Sequence, residues 1–294
     1  MIVVFGGTGR LGRLVVERIR HDGEPVRVVA RHTDGVASLP PGIDVRSADV
    51  REFRTLAAPL EGADVVVSAV HGLDPAGGQS PAAVDRDGNN NLVRAAVAAG
   101  AAVVLVSVVG AGPDSPLEIA RMKWAAEERL RESGAPWTIV RATAFLELWT
   151  ELLRTTARRS GVATVFGRGT NLVNFVPVQH VAVAVARAAT DPSLRSHIIE
   201  VGGPENLTLT ELATRVSDGR PPRHVPRPVL RAASILTAPI KPGQARLVQQ
   251  ALAMDSATLE FDSGPSLRQY PWLASTDTGT GGSPHSFGAP AAGP

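Results

Sequence analysis

Ile2-Val3-Val4-Phe5-Gly6-Gly7-Thr8-Gly9-Arg10-Leu11-Gly12 is the stretch that decides the fold of this chain. Its apolar, largely β-branched start reads as a short strand. The strand stops at a turn in which Gly6, Gly9 and Gly12 recur every third position, with Thr8 and Arg10 between them. Leu11, Leu14, Val15, Arg18 and Ile19 then continue at helical spacing until Gly23. Glycine lets backbone turn sharply and approach a pyrophosphate, and a helix N-terminus offers that anion unpaired N–H groups and a favourable dipole. Gly6, Thr8, Gly9, Arg10, Leu11 and Gly12 are therefore the expected contacts of a bound dinucleotide.

The next strand, Pro25 to Ala30, runs into Arg31-His32-Thr33. An acid at that strand end accepts from the ribose 2′-OH of NAD and repels the 2′-phosphate of NADP. Arg31 stands there instead, and together with Arg10 it offers charge-assisted hydrogen bonds to a phosphate. NADP is expected over NAD. Asp49-Val50, after a strand at Asp44 to Ser47, is placed to flank the adenine, with an ordinary loop acid an equal reading for Asp49. Ala69, on the strand Asp64 to Val70, completes the cofactor set.

The strand–helix grammar repeats outward. A helix from about Asp85 to Ala99 closes at Gly100. A strand follows at Val103 to Val108, then a helix from Asp114-Ser115-Pro116-Leu117-Glu118 to Glu132, and a sixth strand at Trp137 to Val140. Ser115-x-x-Glu118 reads as a capping box with Pro116 at the first helical position. Strands joined through helices, without hairpin signals, give an α/β fold: a Rossmann-type, doubly wound parallel sheet with a smaller C-terminal substrate lobe. The expected division is a dinucleotide-binding domain at 1–150 and a substrate lobe at 151–273, of which about 172–203 returns to the sheet. The Ser/Thr/Gly/Pro/Ala-rich tail at 274–294 has little to bury and is expected to be disordered.

Composition removes whole classes of function. Cysteine is absent, which excludes disulfides, thiolate metal sites and a cysteine nucleophile. No apolar run reaches the roughly 20 residues that a membrane helix needs, and Met1 leads straight into a strand, so a cytoplasmic protein with no membrane association is expected. The seven histidines show no ligand spacing, and no metal is expected. The net charge is only +2, and the Arg/Pro series Arg220, Arg223, Arg227 and Arg231 reads as a stiff surface connector. No nucleic-acid partner is expected. The chain is read as a monomer or homodimer.

Further motifs carry a resemblance. They are the glycine turn itself; Ser107 within Val103 to Val108; Lys123-Trp124-Ala125-Ala126-Glu127 leading into Ser133-Gly134-Ala135-Pro136-Trp137-Thr138-Ile139-Val140-Arg141; and Glu200-Val201-Gly202-Gly203-Pro204. In this order and spacing the chain resembles the atypical short-chain dehydrogenase/reductases, in particular their NmrA-like branch, over residues 1 to 272. The resemblance implies a catalytic Ser at Ser107 and a Lys at Lys123 that binds the nicotinamide ribose. It also implies a Tyr one helical turn before that Lys, and Ile119 occupies the position. The chain's one tyrosine is Tyr270, so the Tyr-x-x-x-Lys pair is missing.

Lys123 and Lys241 are the only lysines among 30 basic residues, which favours a dedicated role for Lys123 over an exposed pair with Glu127. His71, at the end of the fourth strand, and Phe145, after the sixth, are the substrate-side candidates. Phe145, Leu146, Leu148 and Trp149 suit an apolar ligand and suit core packing equally. Gln179 or His180 is read as a helix cap. The leading expectation is an NADP(H)-dependent oxidoreductase reducing a small, mostly apolar carbonyl, enone or quinone. The alternatives are a non-catalytic NADP sensor with a protein partner, and an isomerase or dehydratase that retains its cofactor.

Overall fold

The computed structural model describes residues 1–32, 36–73 and 79–277. Its main sheet contains β1 (Ile2–Phe5), β2 (Val26–Ala30), β3 (Asp44–Ser47), β4 (Val65–Ser68), β5 (Ala102–Val108), β6 (Trp137–Ala142) and β10 (His197–Val201). The strands are all parallel, in the order β10-β6-β5-β4-β1-β2-β3. The order reverses between β1 and β4, and the crevice above the carboxyl ends of those two strands is where such sheets receive ligands.

Alternation along each strand sorts side chains to two faces. Val4, Val28, Val67, Val104 and Val140 point to one face, under α1 (Arg10–His21) and α5 (Val178–Thr190). Val3, Phe5, Val66, Val103, Leu105 and Ile139 point to the other, under α2 (Asn89–Ala99) and α3 (Glu118–Arg131). Both faces are thus dry, and the near-continuous Val/Ile/Leu runs of the strands follow from that. α5 is rich in alanine, and Ala182, Ala184, Ala186, Ala188 and Ala189 are all buried.

Beyond β6 the chain builds a second core. β7 (Ala144–Phe145), β9 (Leu172–Val176) and β11 (Asn206–Thr208) form a small sheet; β8 (Thr164–Phe166) pairs with β12 (Arg223–Val225). Leu153 of α4 (Leu146–Ser160), Val165, Phe175, Leu207 and Leu212 of α6 (Leu209–Val216) fill the space between them. α6 carries a complete capping box, Thr208 with Glu211. α7 (Arg227–Thr237) and α8 (Pro242–Met254) form a hairpin, and α9 (Gly264–Gln269) leads into a 3₁₀ turn at Pro271–Asp277. Of the tail expected at 274–294, residues 278–294 lie outside the described residues, as does Thr33.

Local readings are corrected at several points. Ser115-x-x-Glu118 is not a capping box: α3 begins at Glu118, its N-cap is Leu117 and no side chain caps it. The Ser115 carbonyl instead accepts from Arg121 Nη1 at 2.6 Å, which holds residue 115 outside the helix. Neither Gln179 nor His180 caps α5. The Val178 amide is taken from afar by both carboxylate oxygens of Glu147, at 3.0 and 3.2 Å. The helix expected from Asp85 is preceded by a π-helical turn, Ala82–Gly88, that runs into α2. Part of the Arg/Pro connector is strand β12 and the start of α7.

Candidate active site

The glycine turn sits at the switch point and is built from backbone. Gly6 has φ +78°, and a Cβ there would stand 2.7 Å from the Ala69 carbonyl oxygen, across the crevice from β1 to the end of β4. A Cβ on Gly12 would meet the Gly6 carbonyl oxygen at 2.1 Å. Gly9 donates its N–H to that same oxygen at 3.0 Å. Gly9 is also the N-cap of α1, with no side chain to cap, and the first turn holds no acid. Among the described residues no side chain caps that turn, and a pyrophosphate fits it.

The charged residues assigned to the cofactor divide. Arg31 is exposed at the end of β2. Arg10 pairs with Glu151 of α4, so its guanidinium reaches across from the glycine turn to the smaller lobe. Asp49 is committed to Arg51, whose Nη2 lies 2.5 Å away, and the hydrogen bond from Arg51 holds its carboxyl below the usual carboxylate range. Val50 is buried against the α2 side of the sheet, where a Cβ on Gly88 would touch it at 2.7 Å. Its backbone carbonyl accepts from Asn91.

A second centre lies at the end of β4. The Lys123 ammonium is buried 3.0 Å from Asp85 Oδ1, at ion-pair distance but off the axis of a hydrogen bond, and it donates to the Val70 carbonyl at 3.0 Å. The other Asp85 oxygen accepts the Gly72 amide at 2.8 Å. Asn89 Nδ2 donates to the Asp85 carbonyl at 2.8 Å, and the Ser68 hydroxyl donates to Asn89 Oδ1 at 2.5 Å. The exit of β4 and α3 thus converge on the Asp85 carboxylate, while β4 and α2 reach the same residue through its main-chain carbonyl. Sequence reasoning missed Asp85, because an acid at a helix start is commonly explained by the helix dipole. Asp85 lies within the π-helical turn and is buried there.

Ser107 belongs to a different network. It alternates with Val103 and Leu105 onto the α3 face, and its hydroxyl donates to Glu127 at 2.5 Å. Fully buried Glu127 is also gripped by Arg141 through Nη2 at 2.6 Å and Nε at 3.0 Å. Burial works against the Arg141 cation, but the hydrogen bonds and charge of Glu127, joined by Glu200, outweigh it and hold its pKa above the usual value. Glu127 is therefore the anchor of Ser107 and Arg141, not the partner of Lys123.

His71 is exposed, with Nδ1 facing the Leu73 amide at 3.3 Å. Phe145 is half-buried against the main core, and Trp149 meets Phe175 edge-on with centroids 6.5 Å apart. Tyr270 is buried beside His197 and Trp272, and burial raises its pKa. Its neighbours place it on the α5 face of the sheet, whereas Lys123 rises from the α3 face. Among the described residues no group of three metal-ligating side chains occurs, and no helix is long and apolar enough to cross a membrane.

Known proteins are similar to this chain in sequence and in fold. The chain is 32% identical over 229 residues to the NAD(P)H azoreductase of Xenophilus azovorans, covering 76% of each. It is 30% identical over 258 residues to the (4-alkanoyl-5-oxo-2,5-dihydrofuran-3-yl)methyl phosphate reductase of Streptomyces griseus, covering 85% of this chain and 86% of that one. Its fold superposes with a TM-score of 0.74 and 22% identity on the NADPH-dependent quinone oxidoreductase of Escherichia coli complexed with NADPH, over 94% of this chain and 99% of that one. A family model described as NAD(P)H-binding matches residues 6–192, from the first glycine of the turn through α5. With the uncapped glycine turn at the switch point, this match makes the chain a member of the NAD(P)H-binding family.

Proposed function

We propose that this protein is an NADPH-dependent reductase of a small, mostly apolar carbonyl, enone or quinone. The observation that carries the reading is the placement of Lys123. Its ammonium is fixed by Asp85 and the Val70 carbonyl at the end of the strand that shares the switch point with the glycine turn. The family relationship and the reductase activities of the relatives support it.

The α1 amides and Gly6 to Gly12 hold the pyrophosphate, and Arg31 takes the 2′-phosphate that selects NADP over NAD. Bound NADPH supplies a hydride, and the acceptor takes that hydride and one proton. An ammonium has three donors; one is given to the Val70 carbonyl, Asp85 balances the charge, and a remaining donor serves a ribose hydroxyl or the acceptor oxygen. Positive charge at that point stabilises the anion that forms as hydride arrives, and water completes protonation. Quinones and enones suit a site without the usual tyrosine, since they delocalise that charge themselves. Residues 1–150 carry the cofactor in this reading and 151–273 shape the acceptor side.

The test is titration of the protein with NADPH and NADH, followed by loss of NADPH absorbance with a panel of quinones, enones and ketones. NADPH binding tighter than NADH, with oxidation by a quinone, is expected. Arg31→Ala lowers NADPH affinity by about tenfold or more and leaves NADH unchanged. Tight NADPH binding with turnover of no acceptor transfers the protein to the sensor reading, which the missing tyrosine favours.

A further inference from the structure

A small cleft, open to solvent, lies beside the Lys123 centre, between the exit of β4, the first residue of α3 and one face of α8. Its walls are Gly72, Leu73, Gln79 and Pro81, then Glu118, then Gly243, Arg246, Leu247 and Gln250. The α8 residues recur at helical spacing, so a single stripe of that helix faces the pocket. Gly72 ties the pocket to the centre, because its amide is held by Asp85, the partner of Lys123.

The pocket is mixed in character. Leu73, Pro81 and Leu247 give it apolar surface for a flat ring system. Arg246 is half-buried, and its Nη1 makes a long bond of 3.5 Å to the Gln79 carbonyl on the facing rim. A guanidinium has five donors in a planar fork that matches an oxyanion. Glu118 is not a capping residue, and it lines the α3 wall. It repels an anion from that wall and leaves the α8 wall as the anchoring side.

We propose that this pocket is the acceptor subsite and that Arg246 selects acceptors with an apolar ring body and an oxyanion arm: a carboxylate, sulfonate or phosphate. The pairing draws the charged arm to α8 and leaves the uncharged, reducible end on the Gly72 side, next to Lys123. Arg246 is a specificity residue in this assignment and takes no part in hydride transfer. The proposal deepens the reductase reading and rests on it for turnover, while binding tests it separately.

The experiment compares 1,4-naphthoquinone-2-sulfonate with neutral 2-methyl-1,4-naphthoquinone by equilibrium dialysis against the full chain saturated with NADP⁺, where no reduction intervenes. The absence of cysteine removes thiol arylation by the quinones. The sulfonate is expected to bind about tenfold tighter than the neutral quinone, and Arg246→Gln to erase that preference. Arg246→Lys retains part of it, and Arg231→Gln, an exposed charge on α7, retains all of it. Circular dichroism checks each variant, and Arg246→Lys serves if Arg246→Gln does not fold. Equal binding of the two quinones by the parent chain overturns the proposal, as does a preference that survives in folded Arg246→Gln or, if only Arg246→Lys folds, survives there undiminished. Loss of the preference with Arg246, in a protein that oxidises NADPH with no acceptor, upholds the subsite and removes the reductase reading alone.

Discussion

The glycine turn and the Lys123 centre lie across one crevice, yet they are made in opposite ways. The turn is backbone: its shape depends on missing side chains at Gly6, Gly9 and Gly12, and its ligand-facing groups are amides. The Lys123 centre is side chain: the Asp85 carboxylate joins an ammonium to a backbone amide, and Asn89 ties the Asp85 main chain to a serine from β4. A backbone site fails when something is added, whereas a buried polar site fails when something is removed.

The largest effect expected from breaking this contrast is at Gly12. Gly12→Ala puts a Cβ 2.1 Å from the Gly6 carbonyl oxygen, where only backbone movement relieves the clash. NADPH binding is expected to fall by about a hundredfold or more, a loss of roughly 3 kcal/mol. A fluorescence titration measures it, and near-native affinity in Gly12→Ala would sink the cradle assignment.

The next effect is at Asp85. Asp85→Asn leaves the Lys123 ammonium buried without its counter-charge, at a cost of about 3–5 kcal/mol and a fall in Tm on the order of 10 °C. Asp85→Leu combined with Lys123→Met removes both charges and should recover most of that stability without recovering reductase turnover. Calorimetry and NADPH oxidation read the two properties separately. If Asp85→Asn melts with the parent protein, the carboxylate is not what holds Lys123.

A third, smaller effect sharpens the distinction between Lys123 and Ser107. The geometry commits the Ser107 hydroxyl to Glu127, which Arg141 still grips if the serine is lost. Ser107→Ala should cost about 1–2 kcal/mol of stability and leave kcat within about twofold of the parent. A hundredfold fall in kcat with unchanged Tm would return Ser107 to the chemistry.

The contrast also explains what the sequence discloses. The turn, the parallel strands and both helical faces are legible because each follows from neighbours within about a dozen residues. Ile2–Phe5 and Asp44–Ser47 lie where the pattern puts them. The side-chain centre is not legible, because it joins Lys123 to Asp85, Val70 and Gly72 across long stretches of chain. The same is true of Glu127 with Ser107 and Arg141, and of Glu147 on the amide of Val178. Local templates mislead in the same way: Ser115-x-x-Glu118 matches a capping box letter for letter, yet the helix begins only at Glu118, with Leu117 as its N-cap.

Arg10 marks the boundary between the two kinds of site, and its change is the smallest expected. It belongs to the glycine turn by position, but its guanidinium pairs with Glu151 on α4. Both side chains are well exposed, at 43% and 64%, so the pair itself is worth about 0–1 kcal/mol and is screened by salt. Glu151 nonetheless competes with a cofactor phosphate for the same cation. Glu151→Gln should therefore leave Tm nearly unchanged and tighten NADPH binding by about two- to fivefold at low ionic strength, with the gain shrinking as salt is raised. NADH should gain less, because it lacks the 2′-phosphate. Equal gains for both nucleotides would place Arg10 on the pyrophosphate instead and leave selection of NADP to Arg31 alone.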